Sequence, residues 1–299
     1  SLHDALPILS HNKNSVKALT GEAVQLYEAR FGFNQNTHRI AVGEPLGQFY
    51  GYITEGLYQV DDFNYDASTQ TYTLKDGVPY HGDKGQIRPG MWKFKNLTGD
   101  DNVIDENDKT VIGNAQPKFY GGLNNSFTYK GFDLSIFLTF SYGNEVLNAT
   151  KLVTSKVGSL NYNALDVMNS SNRWMTINSD GQKVTDPGEL AALNAGKTVA
   201  AYHDAQQGDN YIHSWAVEDA SYLKLSNVTL GYTFPKNLIA RIGLKNLRLY
   251  ATGNNLLTWT KYSGFDPEVS TMKSGLTPGV DFGAYPLSRS FIFGLNVAF

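Results

Sequence analysis

The chain has 299 residues, with 25 basic against 28 acidic side chains and no cysteine. A net charge of -3 leaves no electrostatic basis for a nucleic-acid partner, and the missing thiols exclude a disulfide scaffold, a thiolate zinc site and a cysteine nucleophile. With 41% hydrophobic residues, 18 Tyr, 16 Phe, 4 Trp and 29 Gly, the composition also excludes disorder and collagen.

No run of about 18 apolar residues occurs, so no transmembrane helix is predicted. The mean hydropathy of -0.32 reads as hydrophilic. A membrane β-barrel averages out the same way, because lipid-facing apolar residues alternate with lumen-facing polar ones.

Along the chain, Ser1-Leu-His-Asp-Ala-Leu-Pro-Ile8 resembles the translation of the end of a short-read sequencing adapter, which sets residues 1–8 apart from 9–299 and places the native start near Leu9. The tail of a strand is expected before His11, and a further strand over Gly47 to Gln59. Next, Phe119, Leu123, Phe127 and Tyr129 alternate with Tyr120, Asn124, Ser126 and Thr128. After Lys130-Gly131 the run to Gly143 puts Phe132, Leu134, Ile136, Leu138, Phe140 and Tyr142 on one face, which predicts a tight β-hairpin. Tyr222 to Phe234 is a strand with Val228, Leu230, Tyr232 and Phe234 on one side, ended by Pro235. Asn237 to Ile242 is expected as one or two helical turns, followed by a strand from Leu247 to Thr258. The last strand, Arg289 to Phe299, aligns Phe291, Phe293, Leu295, Val297 and Phe299.

The connections alternate in length. Those at 130–131 and 235–246 are short, whereas 60–118, 143–221 and 259–288 are long and rich in Gly, Asn, Asp and Tyr. Short turns at one end and long loops at the other suit an outer-membrane barrel better than a soluble sandwich. Tyr129, Tyr142, Tyr232, Trp259 and Tyr262 at strand ends match interfacial aromatic girdles. Six strands alone would leave edges open to lipid, so further barrel strands are expected upstream.

Several stretches resemble the C-terminal part of the SusC/RagA family of TonB-linked outer-membrane transporters: Ser10-His-Asn-Lys-Asn14 before Val16, Gly43 to Tyr52 and on through Glu55-Gly-Leu-Tyr-Gln59, and Pro89 to Phe94. Asp105-Glu-Asn-Asp108, Thr110 to Asn114, Pro117 to Gly122, Tyr222 to Asn227, Leu249 to Asn255 and the Phe299 strand continue the match. The resemblance implies an all-β fold, the C-terminal part of a large transmembrane antiparallel β-barrel of roughly 22 strands with long extracellular loops and a plugged lumen. It further implies TonB-dependent import of an oligosaccharide or peptide in the outer membrane of a Gram-negative, Bacteroidetes-like bacterium. The implied partners are a SusD-like lipoprotein lid, the TonB complex acting through an upstream region, outer-membrane lipid, and the barrel insertion machinery reading the terminal strand. The rival expectations are a siderophore or cobalamin receptor of the same class and a soluble all-β carbohydrate-binding module.

No HExxH, GxSxG or GxxxxGK motif occurs, and the six histidines have no paired metal-ligand spacing, so no enzymatic activity is expected and no cofactor is required. One acidic loop, Asn96 to Asp108, resembles an EF-hand-type calcium loop, with Asn96, Thr98, Asp100, Asp105 and Asp108 as ligands; the alternative is an acidic turn held by its own Asx bonds. Among the loop aromatics Tyr65, Tyr72, Tyr80, Trp92, Trp174, Tyr202, Tyr211 and Trp215, the set Trp92, Trp174, Tyr202, Tyr211 and Trp215 is assigned to ligand binding by stacking, against ordinary loop packing.

Overall fold

A computed structural model describes residues 2–28, 35–99, 101–155, 163–201, 211–271 and 274–299. Its main element is a six-stranded sheet, with strands β1 (Leu2–Ser10), β2 (Phe119–Tyr129), β3 (Phe132–Tyr142), β4 (Tyr222–Thr233), β5 (Asn246–Thr260) and β6 (Ser290–Ala298) in spatial order. Every neighbouring pair is antiparallel, so the chain meanders up and down with both edges open.

Local chemistry accounts for the short turns. Lys130 and Gly131 both adopt positive φ, 44° and 88°, the two-residue geometry whose twist matches the flanking strands, and Tyr129 pairs with Phe132 across it. Pro235 has no N–H to continue the ladder, and the chain turns into a helical stretch from Lys236 to Ile242 that stops at Gly243 in the left-handed region.

The register sorts side chains by face. On one face Phe132, Tyr232, Leu249 and Leu295 form a cross-strand row, and Leu134, Leu230, Ala251 and Phe293 form the next. Among the described residues nothing covers this face: Leu230 is 50% exposed and Phe293 82%. An uncovered apolar face spanning five strands is unstable in water and stable against lipid, which favours a barrel wall over the soluble module. Leu223 and Leu225 reach the same face although their parity is opposite to that of Val228 and Leu230. Extra residues at Ser226 of β4 and at Asn255-Leu256 of β5 shift the register there, and Asn255 takes φ 52° to do so.

β1 pairs with β2 from Tyr120 to Thr128, yet its alternation runs against that of the sheet. Leu6 and Ile8 lie opposite Asn124 and Gly122 on the polar face, while His3 and Pro7 lie opposite Phe127 and Leu123 on the apolar one.

The long connections all leave the same end of the sheet and fold together into a cap of small sheets and short helices. Four buried clusters lie in this cap, and its largest buried side chains are Trp174, Tyr58, Phe49 and Phe94. The strand expected over Gly47 to Gln59 belongs here and does not cross the sheet. It divides into Gln48–Gly51 and Thr54–Leu57, which join different small sheets. Phe49, Tyr52, Leu57 and Tyr58 are buried, and a Cβ on Gly51 would meet the Ile212 carbonyl oxygen at 2.3 Å. An alternating run buried on both faces cannot be told from a membrane crossing by its period.

Candidate functional site

The second face of the sheet is polar and largely pairs within itself. Asn227 donates to Asn254 at 2.7 Å, which donates to Ser290 at 3.0 Å; Thr229 and Thr252 share a 2.8 Å bond, and Ser135 donates to Asn124 at 3.2 Å. Nearer the short turns, Arg248 holds Asp133 through two bonds, Nε to Oδ1 at 3.0 Å and Nη2 to Oδ2 at 2.5 Å. A planar guanidinium gripping both carboxylate oxygens fixes geometry as well as charge.

Where this wall meets the cap, a cavity of about 530 Å³ opens, lined by Tyr120, Thr139, Ser141 and Tyr222 from the sheet and by Glu145 and Glu268 from the cap. Glu268 belongs to the third long loop and reaches back to β4, where Tyr222 Oη donates to its Oε1 at 2.7 Å and Lys224 Nζ pairs with its Oε2. Lys224 is 5% exposed. Sequence reasoning missed this pair, since Glu268 has no motif around it and its partner lies 44 positions away. The ion pairs of the wall, Arg248 with Asp133 and Lys224 with Glu268, each neutralise themselves.

The cap is held by side chains passed between loops. Lys151 pairs with Glu218 at 3.1 Å and stands 4.1 Å over the Trp215 ring. Burial and the Asp281 carboxylate, to which it donates at 2.6 Å, push the Tyr262 hydroxyl far up; this tyrosine is a buried cap residue and not an interfacial one. By contrast Tyr129, Tyr142 and Trp259 are exposed at strand ends, as expected. A second cavity, about 440 Å³ beside Phe265 and Val167, has a floor of Asn148, Ser263 and Asp281 whose polar atoms bond within the cap.

The aromatics assigned to stacking are placed differently from that expectation. Trp92 and Trp174 are buried, 4% and 1% exposed, in one cluster with Tyr52, Leu57 and Phe94, against which Tyr211 and Trp215 pack. Trp92 lies 4.9 Å from the Trp215 ring, and Tyr211 meets Tyr52 edge-on at 5.3 Å. These four are brought together by packing, which leaves the two tryptophan faces no room for a ligand. Tyr202 lies outside the described residues.

In the acidic loop the structure brings Thr98, Asp105 and Asp108 together through hydrogen bonds. Asp108 is buried; its Oδ1 accepts from the Leu97 and Thr98 N–H groups at 2.6 and 2.8 Å and from Thr98 Oγ1 at 3.2 Å, and its Oδ2 accepts from Asp105 N–H at 2.8 Å. Burial raises the Asp108 pKa, but these N–H groups outweigh it and hold the carboxyl below its ordinary value. Asp105 in turn accepts from Asn107 and caps the helical turn Glu106–Asp108. Asn96 is half-buried and stands apart from these bonds, and Asp100 lies outside the described residues. Among the described residues no group of three or more His, Asp or Glu side chains is arranged to hold a metal ion.

A meandering antiparallel sheet with an uncovered apolar outside, a polar inside, tight turns at one end and a folded cap at the other is a wall segment of a membrane β-barrel. No family model matches the chain. It is 33% identical over 297 residues to TonB-dependent receptor P3 of Formosa agariphila, covering 97% of this chain and 26% of that protein. It is 30% identical over 312 residues to TonB-dependent receptor P39 of the same organism, covering 97% of this chain and 28% of the relative. TonB-dependent receptor SusC of Bacteroides thetaiotaomicron is 29% identical over 226 residues, 73% of this chain and 18% of its own length. Among solved structures, the RagAB peptide importer in its open-open state superposes with a TM-score of 0.66 at 20% identity, over 99% of this chain and 26% of that one, so the two share the fold. The chain is thus a barrel segment of the SusC/RagA family of TonB-dependent receptors, and it spans about a quarter of the length of the first curated relatives it matches.

Proposed function

We propose that this chain supplies the last barrel strands and the extracellular loops of an outer-membrane TonB-dependent importer that takes up an oligosaccharide or a peptide without chemically altering it. A SusD-like lipoprotein closes over the loops, the TonB complex acts through a region upstream of this segment, and the terminal strand β6 with Phe299 is the signal for barrel insertion. The host is a Bacteroidetes-like bacterium. The observation that supports this reading is the cavity of about 530 Å³ where the polar face meets the cap, because a polar solute passing between the loops and the sheet could enter it. The self-neutralised ion pairs on that wall support a polar substrate of low net charge over a highly charged iron chelate.

Deletion of the full-length gene tests the reading. The expected result is lost growth on one purified polysaccharide or on a protein hydrolysate as sole carbon source, with the wild-type protein in the outer-membrane fraction. Unchanged growth on every such source, or a protein found in the soluble fraction, overturns it.

A further inference from the structure

The Glu268 carboxylate occupies a position that a ligand could take. Its side chain is 34% exposed and lines the cavity, whereas Lys224, the group it neutralises, is almost wholly buried and does not reach the cavity lining. The cross-strand neighbours of Lys224 are Thr139 and Thr258, which carry no charge, and among the described residues Glu268 is its only ion-pair partner. A buried ammonium stripped of its counter-ion is strongly unfavourable. Departure of Glu268 from the wall therefore costs Lys224 that counter-ion, a cost that another anion at the same place would offset. Tyr222 is placed to follow that exchange, since its hydroxyl donates to the same carboxylate.

We propose that Lys224 and Tyr222 form a carboxylate-binding subsite where the polar face meets the cap, which Glu268 fills in the unliganded receptor and an incoming ligand carboxylate takes over, releasing the Phe265 to Glu268 stretch of the third loop. The exchange is one for one: an ion pair and a hydroxyl bond break, and the same two form to the ligand. A peptide C-terminus and a uronic acid both carry the required group. The proposal rests on the importer reading only for the ligand's route into the cavity.

The test uses the full-length receptor in detergent with a spin label on Phe265→Cys, an exposed position on the same loop. The probes are tetraalanine against its C-terminal amide, and an aldobiouronic acid, which bears one carboxylate, against its methyl ester. One of the two acids is expected to mobilise the label while its neutral counterpart does not, and the acid that acts identifies the source. Glu268→Gln should mobilise the label without ligand and tighten acid binding by calorimetry about tenfold, whereas Lys224→Met should abolish the response. The doubly neutral Lys224→Met/Glu268→Gln receptor, with no buried charge left unpaired, controls for folding and should stay silent to both acids. Equal responses to acid and neutral probe, no response to either acid, or a Lys224→Met receptor that responds like wild type overturns the proposal. Those results in a receptor that still imports its nutrient refute the exchange alone.

Discussion

Acidification should loosen the cap, and His213 sets the scale. Its ring is fully buried between Trp92 and Phe94, at centroid distances of 5.0 and 5.2 Å; Nδ1 lies 2.9 Å from Thr54 Oγ1, and Nε2 has no hydrogen-bond partner among the described residues. Burial, then repulsion from Lys151 and His81, lowers its pKa from 6.5 to about 3. An open cap binds a proton on this residue below pH 6.5, while the closed cap refuses it until about pH 3, so stability is fully present above pH 6.5 and is lost as the pH falls through that window. At pH 5 the loss is about 2 kcal/mol, a roughly thirtyfold rise in the opening equilibrium. His38, buried with Nε2 2.9 Å from the Pro278 carbonyl and lowered to about 4, joins the first loop to the third and adds a loss of the same order. Hydrogen exchange of the cap amides in the full-length receptor, corrected for intrinsic rates at pH 7.5 and 5, measures it. Replacing His213 with Asn should remove about half of the pH response. Equal protection at both pH values, or an unchanged response in the Asn variant, would refute the argument.

Gly90 has φ +86°, and a Cβ there would lie 2.3 Å from the Trp174 ring, so Gly90→Ala should destabilise the cap by about 3 kcal/mol and speed tryptic cleavage within 11–118 and 143–221; wild-type cleavage would contradict the packing. Because both oxygens of Asp108 already accept from backbone N–H groups, calcium removal by EDTA should leave exchange over 96–108 unchanged, and Asp108→Ala should raise it by a loss of about 2 kcal/mol. Protection that drops on chelation and returns with calcium would restore the cation site. The inverted alternation of β1 predicts that long-read sequencing will replace residues 1–8 with a segment in phase with β2; the same octapeptide in intact DNA would refute the adapter origin.

The sequence by itself determined the crossing strands and their two faces. The period of two is a local property: Phe132, Leu134 and Ile136 face lipid because Asp133 and Ser135 cannot, whatever else the chain does. The Lys130-Gly131 turn and the stop at Pro235 were legible for the same reason, since each depends on adjacent residues. The bulges at Ser226 and Asn255-Leu256, which change the parity between Leu225 and Val228, are visible only in the pairing of the strands.

The cap was decided by tertiary structure. Gly47 to Gln59 alternates like a crossing, but Gly51 closes against Ile212 from another loop, more than 150 positions away, so both of its faces are buried. Trp92 and Trp174 look like stacking platforms in a polar loop and become core once 143–221 folds onto 11–118. Lys224 reads as an ordinary wall cation until Glu268 is brought back from the third loop to meet it. Contacts of this kind depend on which loops share space, a long-range outcome with no local pattern to announce it.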